Sequence, residues 1–191
     1  VYNLKSLAAL LGPVREVTAV SAAALPERHI GNQPYVARDP DTWQLVLRHE
    51  RGALASVLAS HATPAYRRPA IELYGTTGTA NLLGDDWDPA GLEVWRGDGP
   101  AWEVREPEDA TWLWTDGLRE AVLALQGGRA PLNKPELDVH LIDVMAACRV
   151  SAAEARTVSL SSRFEPWTEL RLEREPAGHH VHDRTRPADE Q

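Results

Sequence analysis

Two adjacent arginines, Arg67 and Arg68, follow His61 in a short polar stretch. Guanidinium groups side by side suit a sugar hydroxyl or an acid group, and a solvated turn uses the same residues. Arg28, His29 and Arg38 sit in another polar segment, Leu25 to Asp41, which carries Pro26, Gly31, Pro34 and Pro40. It reads as a crossing loop, and long ordered loops tend to carry ligand contacts. Glu136, His140 and Asp143 fall at i, i+4 and i+7, so one helix face presents an imidazole and two carboxylates. One histidine without a second cluster predicts no metal; His140 bonded to a neighbouring carboxylate, orienting its helix, is the better reading. Gly75-Thr-Thr-Gly78 lacks the lysine, the further glycine and the helix of a phosphate-binding loop, and reads as a turn.

Positioning these residues takes a short series of elements. Apolar residues at 4, 7, 8 and 11 predict a helix that Gly12-Pro13 stops. Val14 to Ala22 alternates as a strand, with Val14, Thr18 and Val20 on one side. Trp43 to His49 and Ala53 to Ser60 flank Gly52 as a hairpin. Ile71 to Leu83 is a second hairpin, with positive-φ glycines expected at 75 and 78, and Leu92–Trp95 and Ala101–Val104 extend the meander. Two helices follow. In the first, 118, 121, 122 and 125 form an apolar stripe that Gly127-Gly128 ends. The second opens on Asn133-Lys-Pro-Glu136 as a capping pair and buries Leu137, Leu141, Val144, Met145, Cys148 and Ala152. The expected class is α+β, a largely antiparallel open sheet with helices on one face.

Composition narrows the function classes. The 191 residues carry a net charge of −8, which repels nucleic acid and anionic membrane alike. Trp43, Trp95 and Trp102 are therefore sheet or oligomer residues rather than a stacking platform. The single cysteine, Cys148, forms no intrachain disulfide, and its apolar helical setting predicts an inert thiol in a reducing, cytoplasmic compartment. No stretch is apolar enough for a membrane helix. Residues 1–173 form the expected domain; 174–191, with His179, His180 and His182, are a polar tail. The start at Val1, directly in helix-like sequence, reads as a truncation.

Four runs together carry a family resemblance. Val1-Tyr2-Asn3 with Leu10-Leu-Gly-Pro-Val14, then Arg48 to Ser60, then Tyr74-Gly-Thr-Thr-Gly78, then Gly127 to Leu160 with His140, Asp143 and Ser151, stand in this order. They resemble, across Val1 to Leu160, the substrate domain of the glucose-fructose oxidoreductase/inositol dehydrogenase/rhizopine-catabolism (Gfo/Idh/MocA) oxidoreductases. The resemblance implies the C-terminal half of an NAD- or NADP-dependent enzyme acting on a sugar, polyol or related secondary alcohol. Tyr2 falls on that family's catalytic-histidine position and Lys5 where a second aspartate is usual, so the resemblance assigns proton transfer or hydrogen-bond donation to Tyr2. Asn3, Arg28 and Arg67 are the expected substrate contacts.

The resemblance implies that the cofactor site lies in a missing N-terminal domain; in keeping with this, no G-x-G-x-x-G follows a strand here. This polypeptide alone is then not catalytic. The resemblance also implies a homodimer or homotetramer paired through the open sheet face. The alternative, motivated by Tyr2 and Lys5, is a freestanding, non-catalytic dimeric binding or scaffold module.

Overall fold

The expected first helix forms as α1 (Tyr2–Leu11), and Gly12 stops it at a φ of 83°, a conformation glycine adopts without steric cost. The computed structural model describes residues 1–85, 88–107 and 115–167. After Pro13 the chain enters β1 (Val14–Ala22), which pairs on one side with β4 (Thr42–His49) and on the other with the short β10 (Val158–Ser159). β5 (Leu54–Ser60) completes the sheet in the order β10-β1-β4-β5, every pairing antiparallel.

The strand at 14–22 departs from simple alternation. A bulge between Val14 and Glu16 slips the register by one residue, so Val14 points inward with Val17 and Ala19, while Thr18 and Val20 face out. Leu45, Leu47 and His49 of β4 and Val57 of β5 complete the inner face.

α3 (Pro135–Glu154) covers that inner face. His140 meets the backbone of Val14 and Ser151 meets that of Ala19. Eleven residues of helix and five of strand each advance about 16 Å, so helix and strand run side by side in the same direction. Val144, Ala147 and Cys148 pack between them with Leu7 and Leu160; Leu137 and Leu141 join Ala8 and Phe164 in an adjoining cluster. Cys148 is buried, and desolvation pushes its thiol up to about 11, in keeping with an inert side chain. Pro135 opens the helix as expected. The capping pair does not form: Asn133 donates to Asp138 instead, and no side chain caps the end at Lys134.

The crossing-loop expectation for 25–41 is overturned. Glu27–Ile30 (β2) and Gln33–Val36 (β3) pair as a hairpin around Gly31-Asn32, with Gly31 at a φ of 58°. Two residues of that type between extended runs are a hairpin signal, weakened here by Pro34.

A second antiparallel sheet, β6-β7-β8-β9, comprises Glu72–Gly75, Gly78–Gly84, Pro89–Arg96 and Glu103–Arg105. The expected meander is thus split between two sheets and a hairpin. Gly75 and Gly78 do close a two-residue turn, but neither has a positive φ. Glycine is needed at 78 for space, since a Cβ there would collide with the Trp95 carbonyl oxygen on the next strand.

α2 (Asp116–Gln126) ends at Gly127-Gly128 as expected. Its apolar stripe, however, is not covered: Leu118 and Leu125 are both 71% exposed, and only Ala124 on this helix is buried. Trp112 lies outside the described residues, as do the end of the expected domain and the tail with His179, His180 and His182. Among the described residues no helix is long and apolar enough to cross a membrane.

Candidate functional site

One edge of the molecule gathers several of the expected residues. Asn3, in the first turn of α1, donates from Nδ2 to the Ala70 carbonyl oxygen at 3.1 Å. That bond ties the helix end bearing Tyr2, 57% exposed, to the segment that carries Arg67 and Arg68. The other end of this segment is fastened as well, by the His61 N–H to the Asp41 carbonyl oxygen at 3.0 Å. Between these two attachments residues 62–69 wall an open cleft of about 470 Å³, lined by Thr63, Pro64, Ala65, Tyr66, Arg67 and Arg68 and closed across by Gly84 and Asp85 at the end of β7.

Tyr74, on the exposed face of β6, adds a hydroxyl on this side. Its hydrogen bond to Glu72 and desolvation raise its pKa, and the positive charge of Arg68 acts the other way. Lys5 stands apart from the cleft and reaches Asp138 of α3 at 3.0 Å, an ion pair between exposed side chains.

Arg28 lies elsewhere, at the start of the β2–β3 hairpin. Its Nη2 is 2.6 Å from Asp41 Oδ2 and its Nε donates to the Leu25 carbonyl oxygen at 2.8 Å. Asp41, 3% exposed, also accepts from the Ala24 and Leu25 N–H groups and the Thr42 hydroxyl. Those two backbone donors, chiefly Ala24, hold its carboxyl far below the usual range, and the arginine adds to them. Asp41 is thus a clasp between hairpin and sheet. Sequence reasoning passed over it, although an aspartate just before a strand, in an Asp-Pro-Asp-Thr run, is a turn-forming signal.

His140 is buried and fully engaged. Nε2 accepts from the Val14 N–H at 2.9 Å, so Nδ1 carries the proton and donates to Ser162 Oγ at 2.7 Å; Ser162 passes a bond to Asp143 Oδ2 at 2.6 Å. The expected histidine–carboxylate link therefore runs through a serine, and it orients α3 against β1. Burial lowers the pKa of His140, as it does that of His49, whose Nδ1 donates to the Gly12 carbonyl oxygen at 2.7 Å. Glu136 is exposed in the first turn of α3 and takes no part.

Comparison with known proteins bears on the whole arrangement. Residues 1–81 match the family described as the GFO/IDH/MocA C-terminal domain. Solved structures with the same fold include an NAD binding oxidoreductase from Klebsiella pneumoniae, 20% identical, TM-score 0.70, covering 83% of this chain and 48% of that one. An aldose-aldose oxidoreductase from Caulobacter crescentus, complexed with glycerol, is 21% identical at TM-score 0.67, over 83% of this chain and 45% of that one. A levoglucosan dehydrogenase in complex with NADH is 18% identical at TM-score 0.69, with coverage of 83% and 48%. The chain spans about half the length of the structures it matches. No curated protein sequence matches it.

Proposed function

From the match of residues 1–81 to the GFO/IDH/MocA C-terminal domain family and the fold shared with an NAD binding oxidoreductase, we propose that this chain is a C-terminal domain of that type and forms the substrate-side half of a nicotinamide-dependent oxidoreductase. Its substrate is a sugar, a polyol or a related secondary alcohol. The observation that carries the reading is the Asn3–Ala70 bond, which holds Tyr2, Asn3 and the Arg67 segment to one edge. There Tyr2 donates from its phenol to a substrate oxygen, Asn3 fixes the wall of the site, and Arg67 binds substrate hydroxyl or acid groups. Arg28 acts at one remove, shaping the far end of the 61–70 segment through Asp41.

The nicotinamide cofactor, NAD or NADP, does not fit these residues. Every strand pairing among the described residues is antiparallel, so no parallel strand-helix-strand turn offers its amides to a pyrophosphate. Cofactor binding is assigned to a dinucleotide-binding domain elsewhere in the protein. Val20, Val46, Leu54 and Leu58 are exposed on the outer face of the first sheet and support pairing of two copies there. The proposed setting is the cytoplasm.

The test uses the product of the complete reading frame. Nicotinamide fluorescence is expected to change on mixing with the protein, and Tyr2→Phe is expected to lower kcat on an oxidised polyol by about a hundredfold. Absence of nicotinamide binding overturns the oxidoreductase reading and leaves the freestanding scaffold module in its place.

A further inference from the structure

The 61–70 segment carries charge that the fold itself does not use. In an acidic chain, most described arginines spend their charge on a carboxylate: Arg48 on Glu16, Arg129 on Glu120, Arg156 on Glu154. Among the described residues neither Arg67 nor Arg68 has an ion pair, yet both line the same cleft of about 470 Å³. Two neighbouring guanidinium groups repel, and holding both in one wall of a cleft is favourable once an anion sits between them.

The remaining lining states what kind of anion. Thr63 and Tyr66 offer hydroxyls, and Asp85 faces the pair from the end of β7. Among the described lining residues, two positive charges against one negative leave a single net positive charge. That balance suits a monoanion, while Asp85 repels a doubly charged phosphate and accepts from hydroxyl groups. We infer that this cleft selects a polyhydroxy carboxylate, a sugar acid rather than a neutral sugar, with its carboxylate on Arg67 and Arg68 and its hydroxyl chain toward Tyr66, Asp85 and the Tyr2–Asn3 edge. This rests on the reading of the same edge as the substrate site.

A matched pair of probes tests it: D-gluconate and D-glucitol differ at one terminus, carboxylate against hydroxymethyl. Calorimetry on the product of the complete reading frame is expected to give gluconate an affinity at least about tenfold higher. The preference disappears in the double variant Arg67→Gln/Arg68→Gln and survives Arg51→Gln, which removes an equal charge from the exposed β4–β5 turn. Equal affinities, no binding of either probe, or a preference that survives the double variant overturns the inference. The two levels of the reading fail separately. Selective gluconate binding without nicotinamide-dependent oxidation of either compound sinks the oxidoreductase assignment alone. Glucitol oxidation without any acid preference sinks the sugar-acid assignment alone.

Discussion

The two four-stranded sheets differ in what covers them. The sheet β10-β1-β4-β5 presses Val17, Leu45 and Leu47 against α3 and is pinned to it by two buried side chains, His140 and Ser151. The sheet β6-β7-β8-β9 has strands of comparable length, but its one fully buried residue is Gly91; Leu73, Leu82 and Val94 are only half-buried. Hydrogen-bonded ladders alone contribute little net stability, since water satisfies the same groups in the unfolded chain. Stability in this domain therefore resides in the first sheet and α3. Among the described residues, the second sheet and the apolar stripe of α2 are the less buried part of the fold.

Paired substitutions sharpen that contrast. Leu47→Ala, at a fully buried position, is expected to cost about 2–5 kcal/mol in chemical denaturation, and Leu82→Ala less than half as much. Equal costs would mean that the second sheet has a core of its own. Next in size is Ser151→Ala. This hydroxyl accepts from the buried Ala19 N–H at 2.8 Å and donates to the Arg156 carbonyl oxygen in a part-buried bond at 2.6 Å, so its loss strands a buried donor at about 1–3 kcal/mol. Asn81→Ala, which removes a half-buried bond to Glu93 on the second sheet, is expected to cost less in the same denaturation series.

A pH series addresses the same difference. His49 and His140 both hold folded-state pKa values below the ordinary 6.5, with burial as the main cause. The unfolded chain then binds protons that the folded chain refuses. Stability is full above pH 6.5 and falls as pH drops through that value toward the folded pKa values. The reason is geometric at His140, whose protonated Nε2 would face the Val14 N–H, donor against donor. The melting temperature is expected to be lower at pH 5.5 than at 7.5. His49→Gln with His140→Gln should flatten that slope, and an unchanged slope would assign it to other groups. The smallest effect belongs to Lys5→Ala. Both partners of the Lys5–Asp138 pair are more than two-fifths exposed, so its loss is expected to cost less than about 1 kcal/mol, fading at high salt.

Much of this arrangement was legible from local pattern. The period of apolar residues located α1 and α3, Gly52 marked the β4–β5 hairpin, and Gly127-Gly128 marked the end of α2. The class, α+β with antiparallel strands and helices on one face, followed from their order. Local pattern failed where a single residue shifts a register or a side chain travels far. The bulge after Val14 put Val14 on the opposite face from Thr18 and Val20, which simple alternation had grouped with it. The Gly31-Asn32 hairpin was hidden by the prolines around it.

The candidate edge divides in the same way. Sequence determined the ingredients: a tyrosine and an asparagine opening the first helix, a dibasic pair between strands, a histidine three residues before an aspartate on α3. It could not say that Asn3 reaches Ala70, that Arg28 is spent on Asp41, or that Ser162 stands between His140 and Asp143. Those facts belong to the tertiary structure alone. Each is a contact between residues far apart in the chain, where a polar atom removed from water takes whichever partner the packed elements bring within reach.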